Sequence, residues 1–312
     1  MMMADARADD DDIFVYMGGD QQVPSRVRRA RIHKSVKIVR AGAFQNRWRL
    51  ISVEFHDGIE IIEEDVFYGC HSLRSIKLLG IRIIKGRAFW CCQNLTDVEF
   101  GDKLETIEKD ALHFCTALEN IKMPSVRTVG KWAFGECSEL SDVEFGEELR
   151  TLEERAFCCC PKLRRIALPL KDGIIGDLVF TQCPMLTTVD LVGGIHQTVA
   201  SLHMESWRIK MNKEINRINQ VLPTTAAWQK TGKIRQWMES VIRRLDRYKA
   251  EHKAILKEAT TLLELALWKD KLGDNEKDEK VAMDTLRARA ESRVTSGADV
   301  VIKNVLPFLK LE

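Results

Sequence analysis

The amino-acid sequence predicts an α+β chain: a solenoid of short strands over residues 23–192, then an α-helical region over 195–312. Three observations carry this. A motif returns every 22 or 23 residues, and no unit of such an array buries its apolar side alone. Inside each unit the apolar residues alternate over the length of one short strand. From Gly193-Gly194 onward the composition turns to Lys, Arg, Glu, Leu and Met, with apolar residues in steps of three and four.

The first segment, 1–22, reads as a polar tail. Val27–Ile32 keeps the strand spacing without the residues that precede it elsewhere, as a degenerate first coil that covers the core. The full units follow. An Ala-Phe-like pair recurs at Ala43-Phe44, Val66-Phe67, Ala88-Phe89, Ala111-Leu112, Ala133-Phe134, Ala156-Phe157 and Val179-Phe180. A cysteine stands three positions later at Cys70, Cys92, Cys115, Cys137, Cys160 and Cys183, and a leucine three beyond that, from Leu50 to Leu186. Segments such as Leu73-Arg74-Ser75-Ile76-Lys77-Leu78 alternate inward Ile76 and Leu78 with outward Ser75 and Lys77. A turn with Gly or Pro leads to a second apolar pair (Ile81/Ile84, Leu104/Ile107), suited to a short extended segment across the coil.

These residues carry a family resemblance. Leu-x-x-Ile-x-Leu within the frame Ile-x-x-Ile-x-x-x-Ala-Phe-x-x-Cys-x-x-Leu resembles the BspA-type leucine-rich repeats, over roughly residues 36–191 and in seven successive units. The resemblance implies a right-handed coil with a parallel sheet on one face. It also implies a role in adhesion or protein binding.

Alternate units carry opposite charge. The outward strand position reads Arg31, Glu54, Lys77, Glu99, Lys122, Glu144, Ala167, Asp190, and a second column reads Lys37, Glu60, Arg82, Glu105, Arg127, Arg150. Equivalent positions lie about 4.8 Å apart in stacked coils. Opposite signs therefore pair along the stack, at ~0.2–1 kcal/mol per exposed pair, and a slip by one coil sets Glu on Glu. The pattern lapses near Arg164 and Arg165, which read as unpaired and as a docking point.

Length, charge and cysteine usage exclude several classes. The net charge is +2, with 26 basic against 30 acidic residues in 1–192 and 22 against 16 beyond. Neither half is basic enough to demand a nucleic acid. No stretch of 18 apolar residues exists, so no membrane span is expected. No basic start followed by an apolar stretch opens the chain, so the expectation is a cytoplasmic protein with reduced thiols, the nucleus remaining open. The cysteine column suits a tight buried corner. Cys91, Cys158 and Cys159 lie outside it, and the Cys-Cys-Cys at 158–160 lacks metal-site spacing. The seven histidines form no metal spacing; His113 and Cys115 are neighbours with no third group in the motif to orient them. No cofactor is expected.

The helical region reads as one helix over Gln197–Leu222 ended by Pro223, and a long second helix over Lys233–Leu272, straight or kinked near His252. A polar connector near 273–279, a third helix over Lys280–Arg293 and an apolar segment over Val300–Leu309 follow. The stripe from Ile234 to Ala266 suits a bundle, or a groove-binding or coiled-coil surface.

These readings add up to a non-catalytic scaffold that binds a protein partner. The contacts are expected at Ser75, Lys77, Asp97, Glu99, Asn120, Lys122, Asp142, Glu144, Arg164 and Arg165. The alternative is a structural protein that self-associates through the C-terminal helices. An enzyme ranks third, since no catalytic motif is present.

Overall fold

The structure is a computed structural model. It describes residues 13–194, 202 and 204–271, with side chains up to residue 264. In chain order the strands are β1 (Ile13–Tyr16), β2 (Arg29–Ile32), β3 (Ile38–Val39), β4 (Ser52–Glu54), β5 (Ile61–Ile62), β6 (Ser75–Leu78), β7 (Ile83–Ile84), β8 (Asp97–Phe100), β9 (Thr106–Ile107), β10 (Asn120–Met123), β11 (Thr128–Val129), β12 (Asp142–Phe145), β13 (Thr151–Leu152), β14 (Arg165–Leu168) and β15 (Thr188–Leu191). Helix α1 (Glu205–Val221) and helix α2 (Lys230–Lys271) follow, joined through short 3₁₀ turns at Leu222–Thr224 and Ala227–Gln229.

The strands form a parallel-sheet solenoid of about seven turns. The longer strands pair in the order β1-β2-β4-β6-β8 and β10-β12-β14-β15, and the two-residue strands in one sheet from β3 to β13. Alternation decides the faces: β6, β8 and β10 each bury their second and fourth residues and expose the first and third. The core lies between the long strands and the two-residue strands. Its spine is a stack of buried rings, with Tyr16–Phe44 at 5.3 Å, Phe44–Phe67 at 5.1 Å and Phe67–Phe89 at 5.1 Å. It resumes with Phe134–Phe157 at 5.1 Å and Phe157–Phe180 at 6.2 Å. Leu112 takes the ring position between these two runs, and its unit carries β10, where the pairing of the long strands also restarts.

The corner with the Ala-Phe pair turns sharply. It holds two residues of positive φ four apart, as in Arg87 (54°) and Cys91 (59°), or Arg155 (57°) and Cys159 (60°). Left-handed backbone costs a non-glycine residue about 1–2 kcal/mol. Bonds to the next coil hold it there: Cys91 N–H donates to His113 O at 2.9 Å, and Cys159 N–H to Thr181 O at 2.9 Å. At the opposite turn Gly146 is required by space, since a Cβ would fall on the Pro124 carbonyl.

The solenoid starts earlier than the sequence predicts. β1, inside the segment expected as a polar tail, pairs in parallel with β2 and places Tyr16 over the first ring of the stack. The described chain forms two compact units. One joins the repeats with Ile209–Ile242; the other takes Leu202–Arg208 and the chain from Arg243 on. In the second unit Trp207 stacks on Tyr248 at 4.9 Å. α1 starts at Glu205, and α2 runs as one helix through His252. The connector near 273–279 and the segments at Lys280–Arg293 and Val300–Leu309 lie outside the described residues.

Within the first unit, the helical segment closes the last coil. In the preceding coils, the Phe-position N–H donates to the Ala or Val carbonyl of the next unit; Phe180 has no next unit, and its N–H donates to Thr231 Oγ1 at 2.9 Å. The Asn219 amide accepts from Val189 N–H at 2.8 Å and donates to its carbonyl at 3.3 Å. Arg235 donates to the carbonyls of Ile175 and Gly176. Buried Lys230 donates to the carbonyls of Pro184 and Leu186, each at 2.6 Å.

Lys230→Met keeps the length of that side chain and removes both donors. Two buried carbonyls without partners should cost about 2–4 kcal/mol. Urea unfolding measures this directly; an unchanged midpoint would show that water replaces the ammonium.

Candidate interaction surface

The outward positions of the long strands build a polar face. Register places Ser75 beside Asp97 and Lys77 beside Glu99, then Asn120 beside Asp142 and Lys122 beside Glu144. The ladder closes in doublets: Arg31–Glu54, Lys77–Glu99 at 2.8 Å and Lys122–Glu144 at 3.5 Å. These side chains stay wet, with Lys77 76% and Lys122 79% exposed. Each pair therefore contributes register more than stability. The second column pairs likewise, Arg82–Glu105 at 2.8 Å and Arg127–Glu105 at 3.5 Å.

The ladder does not lapse at Arg165. Its guanidinium bridges two neighbouring strands, with Nε to Asp190 at 2.6 Å and Nη1 to Asp142 at 2.9 Å. A planar fork suits two carboxylates on adjacent strands. Asp190 lies two positions along its strand from Thr188, the register partner of Arg165, so a column-by-column reading misses the pair. Arg164 is exposed immediately before β14 and makes no ion pair among the described residues.

The cysteine column is a second ladder. Cys70, Cys92, Cys115, Cys137, Cys160 and Cys183 each donate to a carbonyl of the preceding coil, at 3.1–3.4 Å. Burial pushes the thiols of Cys70 and Cys137 up to about 12 and raises those of Cys92, Cys115 and Cys160 well above the ordinary range. All nine cysteines are free. Cys158 and Cys159 bring their sulfurs to 3.2 Å, and desolvation raises the pKa of both.

His113 and Cys115 do not assemble. Cys115 points inward to Phe89 O, while His113 Nδ1 lies 3.3 Å from Asp110 Oδ1. The imidazole is stacked on Phe114 at 4.4 Å and Trp132 at 5.3 Å, beside Trp90 at 5.0 Å, and its buried Nε2 has no partner. This cluster is not visible in the repeat frame. Its signal is the residue after each Phe-position, where Tyr68, Trp90 and His113 follow one another. No group of three or more His, Cys, Asp or Glu with metal-binding geometry occurs among the described residues. Among them, too, no helix is long and apolar enough to cross a membrane.

The family model for the BspA type leucine rich repeat region matches in six copies, over residues 37–128 and 115–221. The chain belongs to that family. A leucine-rich repeat protein of T. pallidum is similar, with 26% identity over 49% of this chain and 68% of its own, at a TM-score of 0.42. One from Bacteroides ovatus shows 21% identity over 52% of this chain and 55% of its own, at a TM-score of 0.36. This chain thus spans about half of the latter. No curated protein matches it.

Two outcomes follow. Burial lowers the His113 pKa, with Asp110 opposing in part, so the folded chain holds this proton less well than the unfolded one. Its stability should be full above about pH 6.5 and fall as pH drops below that, down to the lowered folded-state value. His113→Leu should flatten the melting temperature between about pH 7.5 and 5; parallel curves would refute the exclusion of the proton. In alkylation of the native protein at about pH 9, Cys70 and Cys137 should stay unmodified until denaturant is added. Early labelling of either, read by peptide mass spectrometry, would contradict the buried thiol ladder.

Proposed function

We propose that this chain is a non-catalytic scaffold that binds a protein partner on the outward face of its long-strand sheet. The observation that carries the reading is the run of solvated side chains at Ser75, Lys77, Asp97, Glu99, Asn120 and Lys122, repeated at strand spacing. Such a face offers many equivalent polar contacts and no convergent set for a reaction. Membership of a repeat family used for protein binding supports it. Six thiols spent as hydrogen-bond donors to backbone carbonyls require reduced sulfur, which supports a reducing compartment such as the cytoplasm.

A photocrosslinking residue placed at Ser75 or Asn120 should form an adduct with another protein, and one placed at Gln182 on the corner should not. Adducts from Gln182 with none from the two face positions would overturn the choice of surface.

A further inference from the structure

One corner of the solenoid holds a pair of reactive groups that the ladders do not use. The two residues after each Phe-position turn the chain, the second of them at positive φ. In one coil they are His113 and Phe114, whose rings stack at 4.4 Å with 7° between their planes. Two coils on they are Cys158 and Cys159, whose sulfurs lie 3.2 Å apart. Phe114 and Cys159 share a φ of 60°. The corner backbone therefore sets these consecutive side chains against each other, whether they are rings or thiols. Of the seven corners, only this one has cysteine at both positions.

Neither sulfur belongs to the buried ladder. Cys160, the next residue, supplies the ladder thiol of this coil and donates to Phe134 O at 3.1 Å. Cys158 is buried, whereas Cys159 is partly open to solvent, its thiol donating to the exposed Gln182 at 3.1 Å. The coils on either side hold the backbone of the pair: Glu136 N–H donates to Cys158 O at 3.0 Å, and Cys159 N–H to Thr181 O at 2.9 Å. One reachable sulfur thus sits in front of one shielded sulfur, in contact with it. Desolvation raises the pKa of both, so thiolate is scarce at neutral pH and the pair answers an excess of oxidant rather than traces.

We infer that Cys158 and Cys159 form a redox pair, closed to a disulfide between neighbouring residues by a hydroperoxide and reopened by a dithiol. The Cys159 sulfur attacks a peroxide oxygen; the O–O bond breaks, the leaving alkoxide takes the thiol proton, and a sulfenic acid remains. The Cys158 sulfur then attacks the Cys159 sulfur; the S–O bond breaks, and the hydroxyl leaves as water with the Cys158 proton. The pair loses two electrons, and the peroxide is reduced to an alcohol and water. Neighbouring Cα atoms are about 3.8 Å apart, short of the roughly 4.4–6.8 Å usual for a disulfide. The closed ring is therefore strained and easily reduced, which makes it a reversible mark rather than a structural staple.

The test treats the full native chain with excess hydrogen peroxide, then unfolds it in an alkylating reagent and reads the tryptic fragment Ala156–Lys162 by mass spectrometry. That fragment carries Cys158, Cys159 and Cys160. After peroxide it should take one alkyl group, on Cys160, and be lighter by two hydrogens. Dithiothreitol before alkylation should restore all three sites. Cys158→Ser should leave a sulfenic acid on Cys159 that a cyclic 1,3-diketone traps, and Cys159→Ser should leave Cys158 a free thiol, since the peroxide does not reach it. Three alkyl groups after peroxide would overturn the inference. So would a ring that includes Cys160, a bond from Cys159 to a second chain, or oxidation of Cys159 to a sulfinic acid while Cys158 stays reduced. A closed ring that dithiothreitol does not reopen would overturn its reversibility.

Discussion

The repeats depend on one constraint: each residue is stacked on its own equivalent one coil away. Parallel pairing in register imposes it, and a side chain must then suit its neighbour in the column as well as its place in the coil. Flat rings satisfy this by stacking, Phe67 on Phe89. Thiols satisfy it by donating to the carbonyl one coil back. Charges satisfy it only by alternating in sign. That is why the sequence carries a double period of 45 residues, with Val53-Glu54-Phe55, Val98-Glu99-Phe100 and Val143-Glu144-Phe145 on every second coil. The strained corners depend on the same register, because the bonds that hold Cys91 and Cys159 at positive φ come from the next coil.

A stack of equivalents has two ends without a neighbour, and both are closed by side-chain amides that imitate a strand. At the start Gln21 accepts from Met17 N–H at 2.6 Å and donates to Val15 O at 3.3 Å. At the far end Asn219 does the same at Val189. An amide carries one acceptor and one donor in the geometry of a peptide group, so it pairs an open edge without extending it. The apolar spine is closed separately, by Tyr16 at one end. At the other end Thr231 and Lys230 take the polar groups that Phe180 and the Pro184–Leu186 segment leave open.

The columns were legible in the sequence because repetition makes each one testable many times over. Strand positions, inward Ile76 and Leu78, the cysteine corner and the Lys77–Glu99 bridge all come from the period. What repeats once was not legible. Tyr16 stands 28 residues before Phe44, off the period, and Asn219, Lys230 and Arg235 act on backbone groups 30 or more residues away. Arg165 looks unpaired in the sequence because its fork reaches Asp190, in the neighbouring column, as well as Asp142 beside it. The His113 cluster was hidden for a similar reason: Trp90, Phe114 and Trp132 come from three coils and from different positions of the repeat.

The same constraint separates what such a fold does readily from what it does with difficulty. Catalysis needs unlike groups brought to one point, and a register of equivalents spreads like groups along a line. On the strand face that line is a row of charges whose neighbours neutralise them in pairs, which leaves little net field to draw an arbitrary ligand.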